Sequence, residues 1–170
     1  MGHEEHRKAG PKAVRVFVVT ASDTRGEAED ASGAWLMDAA VRAGHVVAGR
    51  RIVRDEPDAI RAALGEAAAA GAQAVVLNGG TGIAVRDRTY EAVEGLLEKR
   101  LDGFGELFRM LSWQEIGSAA MMSRALAGIW QGRVLFSVPG STAAVKLAWE
   151  KLIAPELSHL VHELTKGNVH

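Results

Sequence analysis

The stretch LNGGTGIAVRDRTYEAV, residues 77–93, sets Gly79, Gly80, Thr81 and Gly82 directly after an apolar run, with Asp87 a short loop further on. Glycine packs nothing and costs backbone entropy, so a cluster of this kind implies positive φ angles or a ligand lying against the main chain. A glycine turn that feeds a helix offers unpaired N–H groups and the positive end of the helix dipole, and both favour phosphate. The turn is not G-x-x-x-x-G-K-[ST], and Gly80-x-Gly82 lacks the third glycine of the dinucleotide fingerprint; a P-loop ATPase and an NAD dehydrogenase are therefore disfavoured. Asp55 and Asp87 are the carboxylates suited to phosphoryl or nucleotidyl chemistry, because Mg²⁺ is commonly held by one or two carboxylates together with substrate phosphates.

Each of these residues also has a plain structural role open to it. Asp55 stands two residues before Pro57 and Asp87 two before Thr89, where either could cap a helix without losing a metal role. Ser22, Asp23 and Thr24 could line a site or simply close a turn. Ser141, after Pro139-Gly140, is a good N-cap, or it leaves a helix N-terminus open to phosphate. His159 and His162, near Glu163, read as a solvated helix face or a metal pair.

Positioning these residues requires particular elements. VRVFVVT, residues 14–20, is a continuous β-branched run, as expected for a strand buried on both faces. Helical spacing over 32–43 ends at Gly44; a second strand over 45–53 is interrupted by Gly49. Asp55-Glu56-Pro57 opens a helix reaching Gly71, and a third strand spans 74–77. Further helices are predicted over 89–99 and 102–116, with 119–129 helical or irregular. A late strand over 134–138 then precedes a closing helix over 141–164 that Pro155 kinks or splits. Strands alternating with amphipathic helices predict a three-layer α/β/α sandwich around a mostly parallel sheet. The polar and glycine residues cluster just after the strands. In a parallel sheet those loops share one rim, where ligands collect.

The chain has 170 residues, 48% hydrophobic and 24% charged, with net charge −1, which suits one soluble domain with its own core. Near-neutrality gives the whole chain no electrostatic reason to bind nucleic acid or an anionic membrane. There is no cysteine, which removes disulfides, thiolate metal sites and cysteine nucleophiles. No apolar run approaches the ~20 residues that span a bilayer. MGHEEHRKAGP lacks the apolar core of a secretory signal, so the expectation is a flexible tail over 1–12, one domain over 13–170 and a cytoplasmic location.

Taken in order, the motifs resemble the molybdenum-cofactor biosynthesis proteins MogA and MoaB, whose fold is shared with the G domain of gephyrin. Gly79-Gly80-Thr81-Gly82 with Arg86-Asp87-x-Thr89 is similar to their signature. The same order holds for Thr20-Ala21-Ser22-Asp23-Thr24 with Asp30-x-Ser32-Gly33, Val53-x-Asp55-Glu56, Gly103-Phe104-Gly105-Glu106, Ser123-Arg124-Ala125 and Ser137-x-Pro139-Gly140-Ser141. The resemblance implies a molybdopterin adenylyltransferase that takes ATP and molybdopterin as substrates with Mg²⁺. Asp55 and Asp87 would bind the metal and orient the nucleotide or pterin phosphate, and Asn78 to Gly82 would cradle phosphate. Ser22, Asp23, Thr24, Glu106, Ser123 and the Pro139-Gly140-Ser141 turn would bind the pterin and its tail. It also implies a homo-oligomer, trimer or hexamer, with apolar surface around 119–130 as a compatible contact, and other proteins of molybdenum cofactor biosynthesis as partners. A non-catalytic binder of molybdopterin or nucleotide on the same fold is the alternative. A dinucleotide pyrophosphatase like the related competence- and damage-associated proteins fits a chain of this length less well. Two positions depart from the family pattern. Thr142 replaces a second proline, which loosens the turn, and Asp102 replaces a proline and adds charge near Glu106.

Overall fold

A computed structural model describes residues 10–166; the expected tail lies outside this range up to residue 9. Strand β1 (Arg15–Ala21) is buried on both faces, with Val16 and Val18 in one core and Phe17 and Val19 in the other. Two-sided burial accounts for its unbroken apolar sequence. The chain continues through α1 (Ala31–Arg42), β2 (Val46–Val53), α2 (Pro57–Ala69), β3 (Ala74–Asn78) and α3 (Thr89–Glu94). It then forms β4 (Lys99–Arg100), α4 (Asp102–Ile116), a 3₁₀ turn (Gly117–Met122), β5 (Leu126–Trp130) and β6 (Arg133–Val138). Helix α5 (Thr142–Ala148), a π turn (Trp149–Ile153) and α6 (Ala154–Thr165) close the fold.

The six strands lie in the order β2-β1-β3-β6-β5-β4. Pairs β1–β2, β1–β3 and β3–β6 are parallel, whereas β5–β6 and β4–β5 are antiparallel. Helices α1, α4, α5 and α6 pack on one face around Phe104, Phe108, Phe136 and Trp149. Helices α2 and α3 cover the other through Ile60, Leu64 and Val93. This is the expected three-layer sandwich with a mostly parallel sheet. Gly49 marks a bulge: the β1–β2 register slips between Val16 and Phe17, and a Cβ at Gly49 would lie 2.5 Å from the Phe17 ring.

Two local expectations are corrected. The helix from Thr89 stops at Glu94, with Gly95 as its C-cap, instead of reaching Lys99. The stretch 119–129 ends in a strand, because LAGIW pairs with β6 and forms the hairpin that closes the sheet. The closing helix is split near Pro155 as expected, by a π turn just ahead of it. A proline at this point has no amide to return and its ring crowds the preceding turn, so the backbone widens upstream of it.

Candidate functional site

Strands β1, β2, β3 and β6 run parallel, so their exit loops share one edge of the sheet. There they enclose a cleft of about 500 Å³. Its walls carry Ser22, Asp23, Thr24 and Arg25 after β1, Asp55 after β2, Gly79 to Gly82 with Arg86 and Asp87 after β3, and Pro139, Gly140 and Ser141 after β6. Ala119 and Met122 of the 3₁₀ turn and Ser123 directly after it complete the rim.

The carboxylate of Asp55 is the best buried of the group, with the residue 4% exposed. It does not cap the helix beside it: the N-cap of α2 is Glu56, which makes no side-chain cap bond. Asp55 Oδ1 instead accepts from Arg88 N at 3.1 Å and from Thr89 Oγ1 at 2.9 Å, fixing the start of α3 across the loop. Oδ2 accepts no hydrogen bond among the described residues. Burial pushes the Asp55 carboxyl above its ordinary value, against the bonds from Thr89 and Arg88, and the neighbouring Asp87 and Asp23 charges push the same way. A cation beside Oδ2 would relieve both effects. Asp87 does not cap α3 either; its Oδ2 accepts from Ala84 N at 3.0 Å and so closes the loop before the helix.

The glycines let these carboxylates come close. Gly79 and Gly80 have φ of +97° and +65°, which side chains rarely adopt. A Cβ at Gly79 would strike the Ala21 carbonyl, one at Gly80 would lie 2.5 Å from Asp55 Oδ2, and one at Gly82 would lie 2.5 Å from Asp87 Oδ2. Protein therefore fills the space a side chain would need, and the first demand for glycine comes from packing against the two acids. Both carboxylates then lie against one loop. Among the described residues no group of three or more His, Asp or Glu side chains forms a cage. Two carboxylates that leave the remaining positions to ligand oxygens fit Mg²⁺.

Asn78 and Glu106 are not part of the cleft. Asn78 is fully buried; its Nδ2 donates to Val19 O at 3.2 Å and Thr20 Oγ1 at 3.0 Å, and its Oδ1 accepts from Ser32 Oγ at 2.8 Å. It ties β3 to β1 and α1, so its side chain is not free to cradle phosphate. Glu106 lies on α4 beside a separate cavity of about 130 Å³, with Arg100, Asp102 and Arg109. The extra charge of Asp102 is offset there by Arg100 at 3.1 Å. Ser22 and Ser141 keep their structural roles on the cleft wall. Ser22 Oγ accepts from Thr24 N and Arg25 N, and Ser141 caps α5 through Ala144 N at 3.2 Å, so Thr142 does not leave the turn uncapped. His159 is engaged by Glu156 and Glu163 along its own helix.

Sequence reasoning did not single out three arginines as site residues. Arg86 joins Asp23 at 2.9 Å to Glu56 at 2.8 Å, and its guanidinium holds the Asp23 carboxyl below its ordinary value. Arg124 donates to the Thr81 and Gly82 carbonyls at 2.8 and 2.6 Å, pairs with Glu91 and lies 4.7 Å from the Tyr90 ring centroid. Arg25 borders the cleft from the β1 loop. The signal for Arg86 and Arg124 was their place inside quoted motifs; Arg25 follows directly on one.

Residues 15–159 match the family described as a probable molybdopterin binding domain. Molybdenum cofactor biosynthesis protein B of Halalkalibacterium halodurans is 51% identical over 168 residues, covering 98% of this chain and 99% of the relative. A crystal structure of a molybdenum cofactor biosynthesis protein B superposes with a TM-score of 0.87 at 50% identity, over 91% of this chain and 97% of that one. The tungsten cofactor synthesizing protein MoaB of Pyrococcus furiosus superposes at 0.84 with 40% identity, over 91% and 98% of the two chains.

Proposed function

The chain belongs to the molybdopterin-binding family of molybdenum cofactor biosynthesis proteins, and on that premise we propose that it adenylylates molybdopterin with Mg-ATP in the cytoplasm. The observation that carries the reading is the meeting of the glycine turn, Asp55 and Asp87 on one wall of the cleft. At about 500 Å³ the cleft has room for a nucleotide-sized ligand. An ionised terminal phosphate oxygen of molybdopterin forms a bond to the α-phosphorus of ATP. The bond from that phosphorus to the α,β-bridging oxygen breaks, and pyrophosphate leaves with the electron pair. The nucleophile arrives already deprotonated, so no side chain need act as its base. The protein's work is positioning and charge neutralisation.

Asp55 and Asp87 would hold Mg²⁺, which when bound supplies neutralising charge to the phosphate oxygens. Gly79 N is taken by the Val138 carbonyl at 3.1 Å, so the main-chain amides of residues 80–82 would face the phosphates, and Arg124 holds that turn by two of its carbonyls. Ser22, Ser123 and the 139–141 turn border the remainder of the cleft and would contact the pterin phosphate and tail.

The test is AMP transfer from Mg-ATP to molybdopterin by purified protein, wild type against Asp87→Asn. Asparagine retains an oxygen for the Ala84 amide and loses the charge. Transfer should fall at least about a hundredfold with an unchanged melting temperature, as expected when an electrostatic contribution to the transition state is removed. Tight binding of both substrates by wild type without any transfer would establish a binder of the same fold instead.

A further inference from the structure

The charges around the cleft are unevenly compensated. Arg86 is occupied by Asp23 and Glu56. Arg25, on the same wall, makes no ion pair among the described residues, although it is only partly exposed. Its guanidinium is nevertheless fixed: Nη1 donates to Ser32 Oγ and to the Gly140 carbonyl, each at 3.2 Å. Ser32 is in turn held by Asn78, so the buried network that removes Asn78 from the cleft also orients Arg25. Nε and Nη2 carry no bond among the described residues. A planar cation held by one edge, with the other edge open and no carboxylate within ion-pair distance among the described residues, is organised to receive an anion.

Its position relative to the acids follows from the glycine contacts. A Cβ on Gly140 would lie 3.7 Å from Arg25 Nη1 and 3.0 Å from Gly79 Cα, and one on Gly80 would lie against Asp55. The order across the floor is therefore Arg25, Gly140, Gly79, Gly80, Asp55. A side-chain-free strip of backbone links a cationic end to an acidic one. Beyond Arg25 a trough of about 400 Å³ continues past Gly26, Glu27, Arg50, Arg51 and Ile52. There Arg50 is paired with Asp30 and Arg51 with Glu66, while Glu27 adds a negative charge, so Arg25 is the cation left for a ligand.

We propose that Arg25 is the anion anchor of the cleft and binds a phosphoryl group of a polyphosphate lying along the glycine strip, with its far end on the Asp55–Asp87 side. The inference deepens the nucleotidyl-transfer reading but is tested without it, because pyrophosphate binding can be measured with no pterin present. Calorimetric titration with inorganic pyrophosphate and Mg²⁺ should show Arg25→Gln weaker than wild type by about tenfold or more, the usual scale for one charge-assisted contact. Arg25→Lys, which keeps the charge without the fork, should fall between them. Inorganic phosphate is the second probe. A loss confined to pyrophosphate assigns Arg25 to the tail of a nucleoside triphosphate; a loss of both assigns it to phosphoryl groups generally, the pterin phosphate included. Should Arg25→Gln lower the melting temperature, Arg25→Lys carries the test: pyrophosphate binding retained at low salt and abolished in 0.5 M salt, roughly a 4 Å screening length, supports the anchor. Wild-type affinity in Arg25→Gln, or identical affinity for all three proteins, overturns it whatever the AMP-transfer assay gives. Absent AMP transfer with Arg25-dependent pyrophosphate binding overturns the function and leaves the anchor standing.

Discussion

Asp30 and Asp55 are both buried carboxylates, and their surroundings drive them in opposite directions. Asp30 caps α1 through Gly33 N at 3.0 Å and accepts from Thr20 Oγ1 at 2.8 Å and Arg50 Nη2 at 2.6 Å. Burial opposes its charge most strongly of any single influence, yet the bonds from Arg50, Thr20 and Gly33 together hold its carboxyl below the ordinary 3.8. A carboxyl depressed by folding adds stability that is complete above its unfolded value and is lost as pH falls through the folded one. Asp30→Asn should therefore destabilise the protein by about 2 kcal/mol at neutral pH, because the half-buried Arg50 is left without its counter-charge. In thermal melts at a series of pH values, the gap from wild type should close below about pH 4; a gap independent of pH would remove the ion pair from the explanation. Asp55 has no cation and two acidic neighbours. Asp55→Asn should raise the melting temperature of the metal-free protein at neutral pH by roughly 2–4 °C, ~1 kcal/mol for a domain of this size. Added Mg²⁺ should stabilise wild type and not this variant. A destabilised Asp55→Asn would mean that its bonds to Arg88 and Thr89 outweigh the cost of burying its charge.

At the level of elements, legibility followed how local the determining interaction was. The strands at the centre of the sheet could be read because burial on both faces leaves an apolar run in the sequence itself. Asp55, Asp87 and the 79–82 turn could be singled out because each follows a strand of a parallel sheet, and that topology alone brings them to one edge. Strand β4 could not be read: two residues, Lys99 and Arg100, become a strand only because β5 lies beside them. Strand β5 was hidden because a five-residue apolar stretch has no periodicity that separates strand from helix. Arg124 shows the same limit within the site. It stands after the 3₁₀ turn, 42 residues along the chain from the Gly82 carbonyl it holds. Nothing in its local sequence points to that contact. Arg124→Lys keeps a charge for Glu91 but cannot fork onto two carbonyls. Backbone amides in 80–87 should then exchange with deuterium faster while those of β3 do not, and Mg-ATP affinity should drop about tenfold, roughly 1.4 kcal/mol. Unchanged exchange in that loop would show that the turn keeps its shape without Arg124.

Across the whole molecule, apolar surface is concentrated on one side. Leu107, Met110, Trp113 and Ile116 are 47%, 50%, 62% and 55% exposed along α4, and Met121 and Met122 extend the patch at 80% and 53%. An apolar groove of about 550 Å³ between α4 and α6 adjoins it, with Leu107 on its wall. Within the stretch 119–130 expected to offer a contact, Leu126, Ala127 and Trp130 are buried in the sheet, whereas Met121 and Met122 are exposed beside α4. Exposed apolar area on this scale marks an association surface. In the trimers or hexamers that the family resemblance implies, a second copy of this chain would occupy it. Met122 belongs both to the patch and to the rim of the cleft, so a neighbouring subunit seated on α4 would reach the edge of the site. Light scattering at micromolar concentration should give a mass three or six times 18.1 kDa. Trp113→Glu places a charge in the middle of the patch and should shift the protein toward monomer with unaltered circular dichroism. If subunits help shape the cleft, pyrophosphate affinity should weaken in parallel with dissociation. A wild-type monomer would refute the assembly, and a Trp113→Glu oligomer of unchanged mass would place the contact on another face.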